Sequence, residues 1–136
     1  MIKVIVGSKG SGKTARLVDD LNTQATSEAD NVVCIEVGRR LDRMVKYNIR
    51  LIDITEYPVK GYNELLSFIA GISAKDYDLT HVYIDSIGKI TGDTDLNNLE
   101  AFLGLLEAFA ERNSFNVMII LSAELESLPQ GIRKYC

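Results

Sequence analysis

Five short apolar runs mark the chain, at residues 2–6, 32–37, 50–54, 81–85 and 116–121. They are rich in Val and Ile and mostly apolar at successive positions, the pattern of strands covered on both faces. Between them, apolar residues recur at helical spacing. Leu17, Val18, Leu21 and Ala25 make one stripe, and Leu65, Phe68, Ile69 and Ile72 make a second. The longest stripe runs through Leu96, Leu99, Phe102, Leu103, Leu106 and Phe109. Leu41, Met44 and Val45 predict a shorter helix over residues 41–47. Strands alternating with helices build βαβ units, hence a mainly parallel sheet with right-handed crossovers and helices on both faces. The expected architecture is α/β, a three-layer sandwich around five strands, with residues 1–136 forming one domain. Gly71 and Gly104 fall within helical stripes, at a cost of about 1 kcal/mol each against Ala. Close packing on the sheet is the simplest expectation for them.

Composition narrows the classes. A chain of 136 residues can bury a core without disulfides, and 46% apolar with 25% charged residues is ordinary for a globular protein. A net charge of -4 argues against nucleic acid as a general partner, while leaving room for a local basic patch. Cys34 and Cys136 lie far apart without metal-ligand spacing, and Cys34 reads as a small buried hydrophobe. No run reaches the ~18 apolar residues of a membrane span, and residues 2–6 are too short for a signal-peptide core. The expectation is a cytoplasmic protein with no membrane partner.

The chemistry is concentrated after the first strand. Gly7-Ser8-Lys9-Gly10-Ser11-Gly12-Lys13-Thr14 matches the Walker A pattern G-x-x-x-x-G-K-[ST] at every fixed position. A polyphosphate needs a ring of inward backbone N–H groups, and glycine adopts the required conformations without steric cost. The helix that follows, opening with Lys13, Thr14 and Ala15, aims free N–H groups at the same place. Lys13 is the expected contact to the β- and γ-phosphates, and Thr14 gives its hydroxyl to Mg²⁺. A random chain of this length would contain the pattern about once in two hundred, given ordinary glycine usage. The strand before and the amphipathic helix after supply the required context. A flexible Gly/Ser loop would not need the Lys-Thr pair.

His81-Val82-Tyr83-Ile84-Asp85 has the Walker B form, an apolar strand closed by a carboxylate at its carboxyl end. Asp85 is the second expected Mg²⁺ residue, acting through the metal's water shell. Many P-loop ATPases place Glu directly after this Asp, but Ser86 stands here. Either hydrolysis is slow or absent, or the carboxylate comes from an adjacent strand. Glu36, ending the second apolar run, is the candidate.

Asp85-Ser86 closing a hydrophobic strand, with Glu36 ending the strand after the P-loop helix, resembles the RecA/KaiC-like core of P-loop NTPases. The resemblance implies a sheet ordered 3-2-4-5-1, a catalytic role for Glu36 beside Lys13, and a γ-phosphate sensor at Ser122. The chain is also similar to small stand-alone bacterial P-loop proteins labelled twitching-motility-type (PilT-like) ATPases. That likeness rests on both Walker motifs and on Ser122-Ala123-Glu124-Leu125-Glu126-Ser127-Leu128-Pro129. Fifteen residues from Ser122 onward are too few for the DNA-binding loops of recombinases, and His81 is the single histidine, where pilus motors need more. Neither function is carried over with the fold.

Arg39, Arg43, Lys46 and Arg50 would share one face of a continuing helix, with Arg40 beside them. The simplest reading is a solvated face. The sharper one is a surface for an acidic protein partner, for nucleic-acid phosphate, or for a second copy of the chain, with an arginine reaching the neighbour's γ-phosphate. No Asn-Lys-x-Asp guanine-reading motif is present, which favours ATP by elimination. The expected function is a Mg²⁺-dependent ATPase or ATP-driven switch. A non-catalytic nucleotide-binding regulator and a small-molecule or nucleoside kinase are the alternatives.

Overall fold

In the computed structural model, which describes residues 1–136, the five apolar runs are strands. They are β1 (Ile2–Gly7), β2 (Val32–Glu36), β3 (Arg50–Asp53), β4 (His81–Ile84) and β5 (Asn116–Ser122). All pair in parallel, in the spatial order β1-β5-β4-β2-β3. This is the expected order read from the other edge. Register sets Gly7 beside Ser122 and Ile35 beside Ile84, so Glu36 and Asp85 close adjacent strands. Asp85 N–H donates to Ile35 O at 2.9 Å, carrying the ladder one step past β4. The P-loop, Ser122, Asp85 and Glu36 therefore share one rim of the sheet.

Five helices cover the faces: α1 (Lys13–Gln24), α2 (Gly61–Lys75), α3 (Ile87–Thr91), α4 (Leu96–Asn113) and α5 (Gln130–Arg133). The three long stripes seen in the sequence are α1, α2 and α4, while the short α3 and α5 carry too few turns to show a period. The Asp95 carboxylate caps α4 by accepting from Asn97 N–H at 2.9 Å. Because strand side chains alternate, the sheet feeds two separate cores. Val33, Ile35, Val82 and Ile84 join Leu65, Ile69, Leu103 and Leu106 in a cluster of 27 buried residues. Cys34, Tyr83 and Ile120 join Leu17, Leu21, Leu41 and Ile49 in a cluster of 10.

Three expectations are corrected. Residues 41–47 form consecutive turns rather than a helix. Asn22 of α1 reaches across and satisfies this backbone itself, donating to Met44 O and accepting from Lys46 N–H, both at 2.9 Å. With those groups taken, the backbone bonds are isolated turns, Met44 N–H to Leu41 O and Ile49 N–H to Lys46 O. Leu41 is a buried peg, and Met44 is exposed. The aligned basic face consequently does not form: Arg39 pairs with Glu56 and Asp42, Arg40 with Asp85, and Arg50 with Asp76. Gly71 and Gly104 are not close-packed either. Both are exposed, and a Cβ added to either would meet nothing within 4 Å. No helix is long and apolar enough to cross a membrane.

Candidate functional site

The loop between β1 and α1 has the geometry of an anion cradle. Gly10 and Gly12 take φ of +84° and +89°, which L side chains rarely adopt. A Cβ on Gly7 would collide with Ser11 Oγ, so a side chain there requires the Ser11 hydroxyl to turn away. Ser11 N–H is used internally, donating to Ser8 O at 3.1 Å. The remaining amides from Lys9 to Ala15 donate to no acceptor in the protein. They include the open first turn of α1, whose N-terminus has no side-chain cap. Lys13 folds back over this ring, its Nζ donating to Ser8 O at 2.7 Å. The result is a concentration of unpaired donors and one ammonium, which suits the oxygens of a polyphosphate.

The opposite wall of the site is acidic and buried. Asp85 is 1% exposed, and its Oδ2 accepts from Arg40 Nη2 at 2.9 Å. Ser86 Oγ donates to Asp85 Oδ1 at 3.3 Å. Ser86 holds a left-handed φ of 62°, a strain of roughly 1 kcal/mol for a residue with a Cβ, retained directly beside the Walker B carboxylate. Glu36 is fully buried, with Oε1 accepting from Leu41 N–H at 3.3 Å and Oε2 without a partner. Burial pushes the Glu36 carboxyl above the usual carboxylate range; the Leu41 N–H pulls it back, and the Asp85 charge raises it again. Burial, then the same two carboxylates, pushes the Cys34 thiol far up, so this cysteine is an unreactive core residue. Asp53 pins the base of the segment over the acids. Its Oδ1 accepts from Thr55 Oγ1, Gly38 N–H and Thr55 N–H, and these bonds hold its pKa low, the Thr55 hydroxyl first.

Thr14, half-buried at the start of α1, and Asp85 offer hard oxygen donors suited to Mg²⁺. The unpartnered Glu36 Oε2 adds a buried acceptor on the same side. No group of three or more His, Cys, Asp or Glu forms an all-protein cage. Mg²⁺ bound with a nucleotide needs only one or two protein oxygens, the rest being phosphate and water. The residues therefore fit the ion.

Compared with known proteins, the fold has a structural counterpart. A KaiC-like protein from the hyperthermophilic archaeon Pyrococcus horikoshii OT3 superposes with a TM-score of 0.74 over 98% of this chain and 68% of its own. The identity is 18%, so the likeness is one of fold. The chain has a KaiC-like fold. No family model and no curated protein sequence matches it. Within the KaiC-like fold, the strand order puts β5 between the Walker A and Walker B strands, with Ser122 exposed at its tip. A cavity of about 310 Å³ opens beside it, lined by Ser86, Lys89, Asp93, Thr94 and Ser122.

The residues named from the sequence thus fall into two groups on one rim: the P-loop with Ser122, and Asp85 with Glu36. The arginine that touches the second group was missed. In the sequence Arg40 is one of a basic run, and no spacing rule links it to a carboxylate 45 residues away. Asp53, which ends β3 and holds Gly38, was missed for the same reason.

Proposed function

We propose that the chain binds ATP with Mg²⁺ at the β1–α1 loop and works as a Mg²⁺-dependent ATPase of switch type. The observation that carries this reading is the ring of unpartnered amides from Lys9 to Ala15 beneath the Lys13 ammonium. Lys13 would exchange its internal contact to Ser8 O for phosphate oxygens. Thr14 and Asp85 would hold Mg²⁺, which supplies charge neutralisation across the β- and γ-phosphates. Ser122, level with Gly7, would donate to the terminal phosphate. Glu36 would accept a hydrogen bond from the attacking water and align it, largely a positioning effect. The choice of ATP over GTP rests on the missing guanine-reading motif, and the twitching-motility likeness rests on sequence motifs alone.

A non-catalytic sensor of ATP is the second reading. It is favoured by Ser86 in place of an acid after Asp85, and by the full burial of Glu36 under Leu41 N–H.

Calorimetric titration of ATP in the presence of Mg²⁺ tests the binding site. Lys13→Ala removes a charge-assisted contact, and affinity is expected to fall roughly 10- to 150-fold with the fold retained. Unchanged affinity in a folded Lys13→Ala variant would remove the P-loop from the site.

A further inference from the structure

Consecutive residues of one segment close off both carboxylates at the rim. Arg40 Nη2 donates to Asp85 Oδ2 at 2.9 Å, and Leu41 N–H donates to Glu36 Oε1 at 3.3 Å. The two acids are buried in the sheet, whereas the Arg40 side chain is 54% exposed. The carboxylate ends of both contacts belong to the rim of the sheet, and the donor ends belong to residues 40 and 41 of the segment between β2 and β3. Of these, Leu41 is buried and only Arg40 reaches solvent. The hydrogen bonding is incomplete, because Glu36 Oε2, though buried, has no donor. Arg39 and Arg50 are engaged elsewhere, with Glu56 and Asp42 and with Asp76, while Arg43 forms no ion pair. Arg40 is the one cation paired with Asp85.

Taking Asp85 as the metal-side carboxylate of the function proposed above, we infer that Arg40 is a displaceable counter-cation. It neutralises Asp85 in the nucleotide-free protein and yields that carboxylate when Mg²⁺ and ATP bind. A buried carboxylate needs a partner, and removing one without replacement is costly. A divalent ion anchored by phosphate replaces the guanidinium with a higher charge. Arg40 loses little on release, since it already lies half in water. Its departure frees the turn that hangs Leu41 N–H on Glu36, uncovering the candidate water-positioning oxygen. Metal loading is thereby coupled to a surface segment that also carries Arg39, Arg43 and Lys46. Arg40 is a positioning residue that acts through Asp85.

The experiment is ATP calorimetry across a Mg²⁺ titration, on the full chain and on Arg40→Ala. With its competitor removed, the variant is expected to reach the Mg²⁺-strengthened affinity at roughly tenfold lower Mg²⁺. Arg40→Gln, which keeps a polar side chain without the charge, is expected to shift the same way and serves if Arg40→Ala does not fold. Hydrogen exchange on the unaltered chain gives a readout independent of any variant. The Leu41 amide is expected to lose protection when Mg²⁺ and ATP are added together, and to keep it with ATP in EDTA. Equal Mg²⁺ midpoints in parent and variant, or Leu41 protection that Mg²⁺ and ATP leave unchanged, would overturn the inference with the ATP site intact. A parent chain that binds no ATP at all would overturn the site and the inference together.

Discussion

The two faces of the sheet are built differently. One is covered by α2, α3, α4 and α5 over a cluster of 27 buried residues. The other is covered by α1 and the turn-rich segment between β2 and β3, over a cluster of 10. The candidate chemistry borders the thinner face, where α1 opens at the P-loop and Leu41 pegs the segment over Glu36 and Asp85. Regions that move to bind a ligand come from the less stable part of a molecule, and few buried apolar contacts are what makes a part less stable. On that rule the thick face is expected to hold the rim's shape and the thin face to be the one that changes around it.

The comparison is broken most directly by equal truncations on the two faces. Leu103 and Leu41 are both fully buried. Leu103→Ala leaves a cavity walled by several elements, and chemical denaturation is expected to show a loss of about 3–5 kcal/mol. Leu41→Ala lies in a segment of turns that can settle into the space, and a loss of about 2 kcal/mol is expected. Equal losses would mean that the thin face is as rigid as the thick one.

Next in size is the effect of Glu36 on turnover. Glu36→Gln keeps the shape and the buried position, so ATP should still bind while single-turnover hydrolysis falls roughly 10²-fold, the range for loss of a general base. An unchanged rate takes Glu36 out of the chemistry. No measurable rate in the parent chain favours the sensor reading.

A smaller effect tests the thick face by pH. Burial raises the Tyr135 phenol above its ordinary value, and the hydroxyl's bond to Glu107 Oε1 at 3.1 Å raises it further. A folded pKa above the unfolded value of about 10 means stability that is full below that pH and is lost as pH rises through the folded value. Tyr135→Phe is expected to cost about 1 kcal/mol at pH 8. The gap between the two proteins should close in melts above pH 10. A gap constant with pH would show that the bond contributes nothing through the proton.

The smallest effect concerns the outer surface of the thick face. Gly71→Ala and Gly104→Ala each place a methyl group in open space on a helix. Each is expected to stabilise by up to about 1 kcal/mol, read as a raised melting temperature. Destabilisation by either would mean that its outer face is packed against something in solution.

Features whose causes lie within a few consecutive residues were determined by the sequence alone. The five strands, the three long helices and the P-loop are of this kind. Periodicity reports which faces are buried, and a cradle of eight contiguous residues carries its own backbone requirements at Gly10 and Gly12. The strand order followed from resemblance to the RecA/KaiC-like core, and the sheet has that order. Tertiary structure alone decided which groups meet across long separations. Residues 41–47 have a helical pattern, yet Asn22 of another helix takes the backbone groups that a helix would have used. Gly71 and Gly104 sit in regular stripes, but only helix orientation on the sheet shows that they face solvent. Arg40 reads as surface charge until the parallel pairing of β2 with β4 brings its loop onto Asp85. Local propensity acts between near neighbours, whereas an ion pair or a borrowed hydrogen bond depends on where the whole chain has placed two distant backbones.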